Sequence, residues 1–266
     1  MRISTYIDIY YNHRLEKANI LKKIYIYLII PFNYFIEKIN YPKKINLDEY
    51  AKVNKKLFKK NLNFLFEYFN SDKGNKFINQ YARFSKKNNK LINGHKYTVY
   101  YEKHLKKLKK NKIKILELGA FKGNASASFF FYFENSFIYS LDLYPDLFIY
   151  KSERIKSFKI DNSSEKGLLN LPQKMKYDLI IEDAGHYLKD QIITLFTLFP
   201  KLKKKGIYVV EELDFPDTRK DMNLTNDKNT LYTILKSIKN HKPIYSQYIS
   251  EDKKKYFMQN CKYIKI

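Results

Sequence analysis

The chain has 266 residues, 44% hydrophobic and 17% aromatic, which is enough to bury about 70–75% of its unfolded surface and excludes a disordered polymer. Its single cysteine, Cys261, excludes an intramolecular disulfide and a cysteine-based zinc cluster, and fits a reducing, cytoplasmic setting. The formal charge of +24 rests almost wholly on lysine, because the arginines are only Arg2, Arg14, Arg83, Arg154 and Arg219. Lysine is the poorer residue for bidentate base or phosphate recognition, so a solvated lysine surface accounts for the charge better than a nucleic-acid groove. An anionic membrane surface or glycan stays open.

Up to about Lys112 the pattern is mainly helical and aromatic, broken by Asn, Lys and Gly clusters at 70–75 and 86–94. The run 24–36 is uncharged but interrupted by Pro31 and Asn33, and is too short for the about 20 apolar residues of a spanning helix. Two readings fit it. The preferred one is a core helix of an N-terminal subdomain; the other is an aromatic amphipathic element on the inner membrane surface, with Lys22, Lys23 and Lys38 at its edges.

From Ile113 short β-rich runs alternate with helical ones, as in a parallel sheet built from βαβ units. Strands are expected at 113–118, 137–141, 155–160, 177–181 and 206–210, with helices at 125–133 and 188–202. A polar loop through Asp227 leads to a helix at 230–238, and two β-like runs, 243–249 and 255–266, read as a closing antiparallel pair. The organisation expected is a helical region over 1–110 and an α/β domain over 111–266.

The stretch Ile115-Leu-Glu-Leu-Gly-Ala-Phe-Lys-Gly-Asn124 follows a strand and opens a helix, the context a nucleoside-binding glycine turn requires. Gly119 and Gly123 permit close approach of a ligand, while Phe121 stands where a dinucleotide fingerprint has its middle glycine and argues for a ligand without a pyrophosphate. Asp142 ends the next strand at about the spacing of a carboxylate that grips ribose hydroxyls. Beyond the third strand, Asp161 has two readings: acceptor for an adenine amino group, or N-cap of the helix that begins near Ser164.

These motifs, with Ser71-Asp-Lys-Gly74, Gly94-His-Lys-Tyr-Thr-Val-Tyr-Tyr-Glu102, Asp183-Ala-Gly-His186 and the 198–213 run ending Val-Val-Glu-Glu-Leu, resemble class I S-adenosyl-L-methionine (SAM) dependent methyltransferases. The resemblance is to the branch of macrolide-sugar (mycinamicin) O-methyltransferases and cephalosporin hydroxylase-like proteins, and covers about 71–213. It implies an α/β, Rossmann-like, mostly parallel seven-stranded sheet with C-terminal antiparallel strands, beside a helical N-terminal subdomain. It also implies a lid over the methionine end of SAM containing Ser71, Lys73 and Gly74, Mg²⁺ ligands at Asp183, Glu211 and Glu212, and His186 as the base. The chain departs from that branch at Glu212, where aspartate is typical, and at Gly185, where serine is common.

Physical chemistry supports that assignment. With the first, fourth and fifth strands side by side, Glu117, Asp183, Glu211 and Glu212 share one rim, and converging carboxylates repel unless a cation neutralises them. Oxygen ligands suit a hard ion such as Mg²⁺. Glu182 precedes Asp183 by one residue and so should face the other side of the strand.

The function expected is therefore methyl transfer from SAM to a hydroxyl of a sugar, glycan or glycosylated metabolite, aided by a divalent metal and a histidine base. The rivals are an RNA methyltransferase and a non-catalytic methyltransferase fold at a membrane surface. Nucleic acid is disfavoured as a partner; peripheral membrane contact and homo-oligomerisation are left open.

Overall fold

The computed structural model describes residues 1–86, 90–171 and 175–266, so part of the polar cluster at 86–94 lies outside the described residues. The chain forms two compact units. The first contains Met1–Lys109, Phe121–Tyr132 and Tyr144–Glu153; the second contains Lys110–Ala120, Phe133–Leu143 and Arg154–Ile266. The sequence reading places its division at 110, and the structure adds two later segments to the first unit. The strands are β1 (Ile45–Asn46), β2 (Lys76–Ile78), β3 (Leu91–Asn93), β4 (Ile113–Leu118), β5 (Ser136–Asp142), β6 (Tyr150–Lys151), β7 (Ile155–Lys159), β8 (Tyr177–Glu182) and β9 (Leu202–Val210).

The second unit is built on a five-stranded parallel sheet of order β7-β5-β4-β8-β9. Its strands are those expected, with β9 beginning earlier, at Leu202. Alternation along the strands sorts the side chains. Leu116 and Leu118 of β4, Tyr139 and Leu141 of β5 and Ile180 of β8 join one apolar cluster with Leu168, Leu171 and Leu198. Helix Leu188–Leu198 enters a second cluster through Leu188, Ile192, Leu195 and Phe196, together with Leu231, Ile234 and Leu235 of helix Leu231–Lys239.

Among the described residues the sheet has five strands rather than seven, and the closing antiparallel pair is absent: 243–249 contains no strand, and the chain enters a helix, Glu251–Asn260, instead. Phe257 is 3% exposed and lies 4.5 Å from Phe199 and 5.0 Å from Phe196, ring to ring. Glu251 and Asp252 occupy the first turn, where the helix dipole favours anions, and Lys253 pairs with Glu165 at 2.6 Å. Phe257→Ala is expected to cost about 3–5 kcal/mol by chemical denaturation, because it empties a packed site. The exposed Tyr263→Ala change should cost less than about 0.5 kcal/mol.

The first unit is helical apart from two small sheets, parallel β1–β6 and antiparallel β2–β3. Its longest helix, Ile20–Asn40, starts at Asn19, whose side chain accepts from the Lys22 N–H at 3.0 Å. One edge packs: Ile26 and Ile30 join Tyr6, Tyr11 and Leu15 in a core. The buried Glu37 accepts the backbone N–H groups of Phe84 at 2.7 Å and Ser85 at 2.9 Å. The Arg83 guanidinium lies over the rings of Tyr6, Tyr10 and Tyr11 at 4.8–5.2 Å, a cation–π cage. The preferred sequence reading, a core helix over 24–36, holds for this edge and its half-buried flanks at Ile29 and Tyr34; the opposite side is exposed. No helix among the described residues is long and apolar enough to cross a membrane.

Candidate functional site

Because every strand of the large sheet is parallel, all their carboxyl ends meet one edge. Leu118 pairs with Leu141 and Glu182, Glu182 with Val210, and Asp142 with Lys159. Strand order reverses between β4 and β8, and ligands of open α/β sheets bind in the crevice outside such a reversal. Gly119 leaves β4 at φ +81°, with its N–H donating to Leu141 at 2.9 Å, while the Asp183 N–H donates back to Leu118 at 3.0 Å. A Cβ at Gly119 would overlap the Asp183 carbonyl oxygen. The glycine turn and the fourth strand end are thus locked together by their backbones.

Glu117 is buried and, by alternation, faces away from the Leu116–Leu118 cluster. Asp142 ends β5 half-buried. Asp161 is exposed just beyond β7, where the Ser163 side chain and N–H, the latter at 2.9 Å, hold its carboxyl below the usual carboxylate range. The cap of helix Glu165–Leu169 is Ser164, which accepts from the Gly167 N–H at 3.2 Å. The N-cap role therefore belongs to Ser164, and Asp161 stands clear of it.

At the end of β8, Glu182 is fully buried and its register partner Leu118 belongs to the apolar cluster, whereas Asp183 is partly exposed at the rim. Asp183, His186 and Glu212 converge, each offering a ligand atom within 4.8 Å of the others. The His186 Nε2 lies 3.6 Å from Asp183 Oδ1 and 3.8 Å from Glu212 Oε2. Both His186, at φ +55°, and Glu212, at φ +46°, adopt left-handed backbone. Such conformations cost about 1–3 kcal/mol in non-glycine residues, persist where the surroundings over-determine them, and gather at functional sites. Gln191, buried in helix Leu188–Leu198, donates its amide to the Glu212 carbonyl at 3.0 Å and so holds that turn. The ring of Phe215 meets His186 edge-on at 5.3 Å. Glu211, expected beside Glu212 as a ligand, is buried outside this trio; its N–H is used by the Glu182 carbonyl at 2.9 Å.

No protein-family model matches the chain. Among curated proteins it is similar to the 8-demethyl-8-alpha-L-rhamnosyl tetracenomycin-C 2'-O-methyltransferase of Streptomyces olivaceus, with 28% identity over 127 residues, 45% of this chain and 33% of that protein. The demethylmacrocin O-methyltransferase of Streptomyces fradiae is 24% identical over 127 residues, 45% of this chain and 32% of that protein. The chain thus spans about a third of the length of these relatives. Among solved structures, the MycE methyltransferase from the mycinamycin biosynthetic pathway, in complex with Mg, SAH and mycinamycin VI, superposes with a TM-score of 0.54 at 19% identity. That superposition covers 68% of this chain and 48% of MycE. The chain shares the fold of the MycE methyltransferase.

Within this methyltransferase fold the glycine turn runs from the second unit, which holds Gly119, into the first, which holds Gly123. Gly123 has φ +86°, and a Cβ there would press on the Phe148 ring. Between them Lys122 is buried: its ammonium donates to the Gln80 carbonyl, lies 4.2 Å from the centre of the Phe84 ring, and is pushed down to about 8 by desolvation, with Glu37 opposing. Lys122 and Gln191 escape sequence reading, since an isolated Lys or Gln carries no positional signal.

The two lid motifs form one structure. Ser71, Lys73 and Gly74 are all buried. The His95 N–H donates to the Asp72 carbonyl at 2.7 Å, Lys96 to Gly74 at 3.1 Å, and Tyr97 to Lys73 at 3.0 Å. A Cβ at Gly94 would overlap the Gly74 carbonyl oxygen, so the pairing of Ser71-Asp-Lys-Gly74 with Gly94-His-Lys-Tyr97 needs glycine at that point.

Proposed function

We propose that the chain transfers the methyl group of SAM to a hydroxyl of a sugar, glycan or glycosylated metabolite, with Asp183 and Glu212 holding Mg²⁺ and His186 acting as the base. The observation that carries this reading is the convergence of Asp183, His186 and Glu212 at the carboxyl edge of the methyltransferase sheet. The Asp183 and Glu212 carboxylates lie within 4.8 Å of each other and suit a hard divalent cation, leaving the neighbouring His186 imidazole for the proton. When bound, such a cation eases ionisation of a coordinated oxygen, as it lowers the pKa of water from about 15.7 toward about 7.

The chain's own residues do the rest. His186, hinged at left-handed backbone and flanked by the Phe215 ring, takes the hydroxyl proton at a ring nitrogen. The Gly119 turn lets a nucleoside approach the backbone, the Asp142 carboxylate accepts its ribose hydroxyls, and Asp161 accepts from the adenine amino group, with Glu117 beneath on the same rim. For Ser71, Lys73 and Gly74 the assignment to SAM rests on sequence resemblance alone, and for Gly123 on the glycine-turn pattern. The sugar acceptor is supported by the names of the relatives, and the pairing of Mg with a SAM-derived ligand by the MycE complex.

Calorimetry with SAM, followed by a screen of nucleotide sugars and glycans for methyl transfer from labelled SAM with and without Mg²⁺, tests this reading. Binding of SAM and Mg²⁺-dependent labelling of a sugar are expected. No SAM binding overturns the enzymatic reading, and labelling undiminished by a chelator overturns the metal assignment.

A further inference from the structure

Helix Ile20–Asn40 of the first unit carries more exposed apolar surface than its packing explains. Leu21, Ile24, Leu28, Phe32, Phe35 and Ile39 are 53–79% exposed and recur at intervals of three and four residues. At 100° per residue they fall on one side of the helix, and Ile20, Tyr27 and Pro31 widen the stripe, whereas Ile26, Ile30 and Glu37 point to the opposite, packed edge. Over 21 residues the stripe is about 31 Å long.

The exposed charge of the helix has one sign. Its only acid, Glu37, is buried and bonded to the Phe84 and Ser85 N–H groups, while Lys22 and Lys38 are exposed on the helix and Lys17, Lys43 and Lys44 near its two ends, with the exposed Glu16 beside Lys17. A coiled-coil seam between two copies would be narrower and flanked by residues of both signs. Here a second copy would set lysine against lysine. A broad apolar and aromatic face bordered by lysines, on a helix that cannot span, is instead the composition of one that lies in the interface of an anionic bilayer.

We propose that this helix docks the chain, parallel to the surface, on anionic lipid. The inference is independent of the methyltransferase reading. In the sequence the face was legible only as an alternative to a core helix; the structure packs one edge of the helix and leaves this face exposed.

The chain contains no tryptophan, so Leu28→Trp introduces a single reporter into the centre of the face. With vesicles of phosphatidylcholine and phosphatidylglycerol in equal parts, the full chain is expected to co-sediment and the emission of the introduced indole to shift to the blue. Pure phosphatidylcholine or high salt should weaken both. The combined Leu21→Ser, Leu28→Ser, Phe32→Ser and Phe35→Ser variant alters only exposed side chains; it should keep its far-UV dichroism and lose at least about tenfold in bound-to-free ratio. No sedimentation and no shift, equal binding to the neutral vesicles, equal binding by the variant, or a lipid-indifferent dimer that the variant dissociates would each overturn the proposal, the last assigning the face to a second copy.

Discussion

His186→Ala is expected to lower methyl transfer by about 10²–10⁴-fold, the range for removing a general base, and Asp183→Ala by at least as much. SAM affinity should be preserved in both, because neither side chain forms the Gly119 turn or the Asp142 strand end proposed to hold the nucleoside. The two changes should not add. His186 Nε2 faces Asp183 and Glu212 at 3.6 and 3.8 Å, so the three act as one constellation, and the double variant should be no worse than its worse parent. Asp183→Asn separates charge from shape: it keeps the volume and the Asp183 N–H bond to Leu118, and its activity should stay low even at high Mg²⁺. Transfer unchanged in His186→Ala and Asp183→Ala, measured with labelled SAM, would leave the fold assignment intact and remove the mechanism.

The sequence revealed the parallel sheet because each of its strands is a compact apolar run ending in a polar turn, and the rim followed, since parallel strands place all their carboxyl ends together. Asp183, His186 and Glu212 were visible as strand-end polar residues on that logic. Which of the two adjacent glutamates turns toward Asp183 was not, because it depends on Glu212 adopting φ +46° in a turn held by Gln191 from a helix about twenty residues earlier in sequence. The C-terminal run was misread for a local reason. Tyr256, Phe257 and, beyond the helix, Tyr263 raise β propensity, but Ser250-Glu-Asp starts a helix, and Phe257 has a socket between Phe196 and Phe199 that no local pattern discloses. The face of helix Ile20–Asn40 was ambiguous for the opposite reason: an apolar stripe states that something should cover it, and not what.

Gly119→Ala is expected to be the most damaging single methyl group added to the second unit, destabilising it by more than about 4 kcal/mol or preventing its folding. Two effects combine. The φ of +81° is strained for alanine, by about 1 kcal/mol, and the added Cβ overlaps the Asp183 carbonyl oxygen, which is backbone and cannot rotate away. Relief requires β4 and β8 to part at their carboxyl ends, which breaks the Asp183 N–H bond to Leu118 and carries Asp183 away from His186. Gly185→Ala is the matched control, two residues beyond Asp183. Its Cβ would meet side-chain atoms only, Asp190 Oδ2 at 3.2 Å and Tyr187 at 3.3 Å, and its cost should stay within about 1 kcal/mol. Thermal melts and urea titrations of the two variants, with labelled transfer measured on whichever folds, decide the matter. Equal tolerance would mean that the glycine turn and the acidic strand end are independent, whereas loss confined to Gly119→Ala makes one backbone contact common to the proposed nucleoside turn and the proposed metal ligand.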